Sequence, residues 1–420
     1  MPKNDTAQVA PALGAMLITQ ALVVAASLTP PVLGPAITAD LAVPTAWSGY
    51  YASLVFASAL VSAQFVPRLI AWQGPLRTSQ WTLVLAAAGL VCAASATMAG
   101  VILSALLIGC AYAPGNPASS SLLARVVPPA RRAFIFSLKQ TSIPIGGMIA
   151  GLGAPALIWL TAGAFASASG PVGSTDPQTA ATSWTPALLA LAAMCLVAGI
   201  AVQPWRRAFD QPVTTSTSAG KQRSPLRLVA ADPSLRTLAV VSFSMSCLQL
   251  AYGPIIVAFL ADDAGADLAT AGGIVTVAMA ASVALRIGLG AVADQLGGTR
   301  VLAAIALVMV LAATASAVIA ATGAEAAPLA LVAAIGAILG ASSYSWNGVY
   351  LAEVAKAAPP DAVAAATAGT MTMVFLGGFV GPAVTTAAIA LTGTYAMGFV
   401  VMAVFAAVAG IAIITAPLAR

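Results

Sequence analysis

A chain of 420 residues that is 60% hydrophobic and only 7% charged, with a mean hydropathy of +0.98, has no counterpart among soluble globular domains. Its net charge of +5 comes without a single histidine, which removes histidine-dependent chemistry, and the basic excess reads as topology and contact with anionic lipid, not as nucleic-acid binding. What remains is an all-α polytopic membrane protein, because Ala- and Gly-rich apolar segments favour close helix packing over the alternating strands of a barrel.

A hydrocarbon core about 30 Å thick needs roughly 20 apolar residues per helical span. Twelve such segments are predicted, at 11–37, 47–70, 78–97, 99–124, 133–163, 183–203, 237–261, 268–291, 300–321, 327–352, 362–391 and 394–417. The start, MPKNDTAQ, has one lysine and is followed by no cleavage pattern, so the first span is expected to be retained. Pro30-Pro31, Pro114 and Pro144 interrupt spans one, four and five and mark bending points. Cys92, Cys110, Cys195 and Cys247 lie within spans at unpaired spacings and read as small apolar residues, with neither a disulfide nor a metal site implied.

Placing the amino terminus inside puts Arg68, Arg77, Arg125, Arg131, Arg132, the cluster from Arg206 to Arg236, Arg300, Lys356 and Arg420 on the inner side. The outer loops then carry Asp40, Asp176, Asp262, Asp263, Asp267 and Glu325, and no Lys or Arg. This obeys the positive-inside rule and predicts cytoplasmic termini in a bacterial inner membrane.

The longest polar segment separates spans six and seven, giving a bundle over 1–203, a cytoplasmic central loop over 204–236 and a second bundle over 237–420. The halves repeat. Asn116 and Asn347 lie 231 residues apart, and the same offset relates Pro128-Pro129 to Pro359-Pro360 and Gly146-Gly147 to Gly377-Gly378, while Gln20 and Gln249 lie 229 apart. Repeated halves are the sequence sign of a secondary transporter with its site at mid-membrane.

After span eight comes Gly290-Ala-Val-Ala-Asp294-Gln-Leu-Gly297-Gly-Thr-Arg300. It resembles the signature loop of the major facilitator superfamily, with Gly290, Asp294, Gly297 and Arg300 at that family's spacing. The equivalent loop after span two keeps Gly74 and Arg77 but has Ala71 where the family has aspartate. The resemblance implies two pseudo-symmetric six-helix bundles, alternating access around one central cavity, and a gate in which the loop Asp and Arg make charge-assisted contacts. It also implies that spans five and eight face one cavity.

Those two spans hold the buried-charge candidates. An ionisable residue at membrane depth costs at least about 2.5–3.5 kcal/mol on insertion scales, and by default marks a functional site. Lys139 lies seven residues beyond Arg132 and Arg286 eight before Asp294, about 10 and 12 Å along their helices. Two cations at one depth would be relieved by an anion, which arginine can hold by its planar fork and lysine by a point charge. The order around Arg286 also resembles the nitrate and nitrite porters, although their Gly-Asn helix is absent from span five. Snorkelling of Lys139 and bracing of the gate by Arg286 are the competing readings. Gln140, Thr141 and Ser142 give Lys139 a polar flank that favours a lined cavity.

Apart from Asp40, Asp262, Asp294 and Glu353 near span ends, no carboxylate lies along any span. A coupled proton would have to travel on Lys139 or on the substrate. Further candidates for lining the cavity are Gln20, Gln249, Asn116 and Asn347, whose amides equally tie helices together, and Tyr112, Tyr252, Tyr344 and Trp346, which equally pack a core. No phosphate-binding glycine loop, clustered metal ligands or activated nucleophile is present, so no cofactor is implied and an enzyme is not expected. The expectation is a secondary transporter, monomeric, moving a small anion such as a carboxylate, with proton coupling as an option. The alternatives are a proton-coupled exporter of hydrophobic or drug-like compounds, and a non-transporting sensor or lipid-moving facilitator fold.

Overall fold

In a computed structural model the structure describes residues 5–43, 47–153, 184–210, 224–266, 268–324 and 327–415. Asp176, Asp267, Glu325, Arg420, the outer end of predicted span five and part of the central loop lie outside the described residues.

Helices make up most of the described residues, and no strand occurs among them. In chain order they are α1 (Asp5–Val32), α2 (Gly34–Asp40), α3 (Trp47–Ser62), α4 (Val66–Gln73), α5 (Pro75–Ala93), α6 (Met98–Tyr112), α7 (Gly115–Val126), α8 (Arg132–Gln140), α9 (Ser142–Met148), α10 (Thr185–Ala201), α11 (Arg206–Phe209), α12 (Pro225–Ala231), α13 (Pro233–Asp262), α14 (Leu268–Leu296), α15 (Gly298–Thr322), α16 (Leu329–Ser345), α17 (Asn347–Ala357), α18 (Val363–Thr392) and α19 (Tyr395–Thr415). Among the described residues ten helical stretches are long and apolar enough to cross a membrane, and α3 with α4, bent by 60°, makes an eleventh if the pair is one span. The remaining predicted span, 133–163, is described as α8, α9 and a π-helical turn ending at Gly153. Its break falls at Thr141, between Gln140 and the Pro144 that cannot donate into a continuous helix.

Contacts divide the chain into two compact units. The first comprises Met1–Leu122 and Ser142–Gln222, and the second Leu123–Thr141 and Arg223–Arg420. The contact boundary therefore differs from the division into 1–203 and 237–420: the end of α7 and the first part of span five, including α8, are grouped with the second unit.

In the first unit α1 packs against α5, α9 and α10, and α6 against α3 and α5. Leu22, Leu83, Leu90, Ile108, Leu188 and Cys195 form its core. In the second unit α13 packs on α18 and α19, α15 on α19, and α14 on α16 and α8. The outward faces are apolar as well. Ile200 is 74% exposed, Ile414 76% and Leu391 87%, which is unfavourable in water and ordinary against acyl chains.

Candidate functional site

Helix α8 has apolar Phe136 on one side and Lys139 and Gln140 at its end, all three buried. A helix of nine residues leaves its first amides and last carbonyls without internal partners. Both ends of α8 are served by α14. At the amino end, Asp294 Oδ1 and Oδ2 accept from Ala133 N and Phe134 N, each at 2.9 Å. At the other end, Arg286 Nη1 donates to the carbonyl of Gln140. Eight residues of α14 rise about 12 Å, matching the roughly 13 Å of α8. An anion thus meets the positive end of the helix dipole and a cation the negative end, both favourable.

The flank of α8 is fitted as closely as its ends. A β-carbon built at Gly290 would stand 2.7 Å from the Ser137 side chain, and one at Gly348 would stand 2.8 Å from Ser137 Cβ. Only glycine lets α14 and α17 approach that near.

Gln140 is where the buried donors converge. Its Oε1 accepts from Lys139 Nζ at 3.2 Å, its backbone carbonyl accepts from Arg286, and Arg286 Nε donates to the Tyr344 carbonyl at 2.7 Å. Lys139 and Gln140 are fully buried and Arg286 is 1% exposed. Gln140 Nε2 is buried and meets no acceptor among the described residues. An unmet buried donor carries a desolvation cost of about 1–3 kcal/mol, which an added acceptor removes. The structure thus brings together Lys139, Gln140, Arg286 and Tyr344, all within the second unit.

The other predicted residues form separate groups. In the first unit Gln20 Nε2 donates to Asn116 Oδ1 at 3.3 Å, and Tyr112 stacks edge-on with Phe56 at 6.2 Å. In the second, Gln249 Oε1 accepts from Trp346 Nε1 at 3.0 Å and Asn347 Nδ2 at 3.2 Å. Tyr252 donates its hydroxyl to the Gly336 carbonyl at 2.9 Å and stacks edge-on with Tyr344 at 6.1 Å, so its polar atom serves helix packing.

The loop residues divide. Gly297, at φ +93, makes the turn that leads into α15 and suits glycine alone. Arg300 Nη1 reaches the Leu296 carbonyl at 3.4 Å and forms no ion pair among the described residues. The expected Asp–Arg contact is replaced by Asp294 on backbone amides. After α4, Gly74 adopts φ +89, and the amides of Leu76 and Arg77 donate to Asp210 at 2.8 and 2.9 Å. Asp210 follows α11 and also pairs with Arg206 at 3.7 Å. Sequence reasoning missed Asp210, whose only signal was being an acid in a basic segment. It also missed Ser137 and Gly348, whose importance is steric.

The first unit holds a small, partly open apolar cavity of about 70 Å³, lined among others by Pro30, Ile37, Tyr51, Leu54, Met98 and Ala105. No group of metal-ligating side chains occurs among the described residues.

The sequence pattern of the Major Facilitator Superfamily matches residues 15–382. No curated protein sequence matches the chain. Among solved structures it is similar to the Escherichia coli fucose:proton symporter FucP, at TM-score 0.75 and 16% identity over 96% of this chain and 97% of that one. A bacterial homologue of the iron transporter ferroportin, in its outward-facing state, gives TM-score 0.74 and 13% identity over 97% and 98%. The human organic anion transporter MFSD10 gives 0.70 and 15% over 98% and 100%. At these identities the likeness concerns the fold.

Proposed function

The chain belongs to the major facilitator superfamily and is a secondary transporter, and from that premise we propose that its cargo is a small anion, such as a carboxylate, held by Lys139, Gln140 and Arg286. The observation that carries this reading is the buried cluster at Gln140, in which a lysine and an arginine converge and an amide donor waits for an acceptor. An anionic oxygen supplies what that cluster lacks, and no carboxylate of the sequence lies along a span at that depth.

Arg286 and Asp294 would also serve the gate. With α8 seated they hold its two ends, and both contacts lie within the second unit, so they open only if α8 leaves α14. Only one loop offers such a carboxylate latch: the first-half loop has Ala71 at the matching place, and Asp210 caps α5 from elsewhere in the same unit. Cytoplasmic placement of this latch, and of both termini, follows from the basic inner loops. A co-transported proton would ride on Lys139 or on the anion.

Export of hydrophobic compounds is the second reading, and the only feature beside it among the described residues is the small apolar cavity at Tyr51. Melting of the detergent-purified protein separates the two. Nitrate, cyanate and mono- and dicarboxylates are set against cationic dyes, for wild type and Lys139→Gln. Stabilisation by one anion class at concentrations well above its Kd, about 3–4 kcal/mol at 100–1,000 times Kd, and its loss in the variant, is expected. Equal stabilisation of both proteins by dyes alone would overturn the anion reading in favour of export.

A further inference from the structure

The two units hold the same amide pair in different company. In the second, Gln249 Oε1 is saturated by the Trp346 indole and the Asn347 amide. In the first, Gln20 bonds Asn116 alone, and its Oε1, on a residue only 6% exposed, meets no donor among the described residues. The difference has a sequence cause. Trp346 stands 231 residues after Gly115, the offset that pairs Asn347 with Asn116, so the repeat replaces an indole and its N–H by a hydrogen atom.

Neither the backbone nor the room for a β-carbon requires that glycine. Gly115 is not among the residues of positive φ. A β-carbon built there would have three Gln20 atoms as its nearest neighbours, at 3.6–3.8 Å, which is ordinary contact. By comparison, a β-carbon at Gly146 would lie 2.7 Å from Val24 Cβ, so glycine there is a packing necessity.

We infer that Gln20 and Asn116, with Gly115 clearing the approach, form a hydroxyl-recognition subsite for the cargo, in which a substrate O–H takes the part that the Trp346 N–H plays in the second unit. A hydroxyl both donates and accepts, so it meets the Gln20 amide whichever way that amide is turned. Resting on the anion reading above, this adds a hydroxyl to the chemistry the cargo must carry.

The test pairs probes that differ by hydroxyls: lactate with propionate, and tartrate with succinate, with mannitol as an uncharged polyol. Thermal shifts are titrated for wild type, Gln20→Leu, Gly115→Trp and, as the second-unit control, Gln249→Leu. Wild type should favour the hydroxylated member by tenfold or more in apparent affinity, since a buried polar group left unmet by the deoxy analogue penalises it. Gln20→Leu should erase that preference and Gln249→Leu should keep it. Gly115→Trp should lose hydroxy-acid stabilisation, because its indole would take the place of the substrate hydroxyl as it does in the second unit. If that variant does not fold, the two glutamine variants decide alone. Equal affinity for both members of each pair, a preference that survives Gln20→Leu, or no stabilisation by any hydroxylated probe would overturn the subsite. Gln20-dependent stabilisation by mannitol but by no anion would keep the subsite and refute the anion reading. Anion binding indifferent to hydroxyls would do the reverse.

Discussion

Arg286 places its guanidinium between two backbone carbonyls, those of Gln140 and Tyr344, in the interior of the second unit. A carbonyl carries only a partial negative charge, and an anionic oxygen is a stronger acceptor for the same guanidinium. The planar fork matters as much as the charge, since it can hold a helix end and an oxyanion from one side chain. Arg286→Lys is therefore expected to behave like Arg286→Gln, losing anion-dependent stabilisation by tenfold or more in apparent affinity, as read by titrated thermal shifts. If lysine preserved that affinity, charge alone would suffice and the geometry described for Arg286 would be irrelevant. Lys139 was legible in the sequence for a simple reason: an ammonium in an apolar span is costly enough to need a purpose. Gly115 was not, because a glycine in a Gly-rich chain gains meaning only once its repeat partner is seen to be a tryptophan bonded to Gln249.

Helix α8 is short, and its position depends on what surrounds it more than on its own propensity. Asp294 satisfies two of its amides, and Gly290 and Gly348 admit Ser137. Losing a capping carboxylate costs about 0.5–2 kcal/mol, while a larger residue at 348 would push the helix out of its seat. Asp294→Asn and Gly348→Val are both expected to loosen α8, with the valine acting more strongly. Thiol labelling at Ser137→Cys, in a background lacking the four native cysteines, should accelerate in both. Unchanged labelling in Gly348→Val would show that α8 is not held by this fit. The motif around Asp294 was readable by spacing, yet its partner was not: sequence suggested arginine, whereas Asp294 takes backbone amides, a contact with no side-chain signature. Asp210 escaped for the same reason, since it too binds amides.

At the scale of the molecule, hydropathy exposed the spans because each must satisfy its own backbone in lipid, and that requirement leaves a long apolar run. The repeat offsets likewise reported the two related halves. What hydropathy could not report is that α8, encoded in the first six spans, packs with the second compact unit, because nothing in its own periodicity states which neighbours it prefers. The same repeats mark where the halves differ: the units agree in their amide pairs and part at Gly115 and Trp346, while Lys139 and Arg286 have no charged counterpart at the repeat offset. The account stands on Lys139 and Arg286 holding an anionic cargo, and counterflow of radiolabelled lactate and nitrate into proteoliposomes tests that most directly. The expected result is saturable flux of one anion by wild type, reduced at least tenfold by Lys139→Gln and by Arg286→Lys in folded, reconstituted protein. Flux unchanged by both substitutions, or saturable transport confined to neutral or cationic compounds, would contradict it.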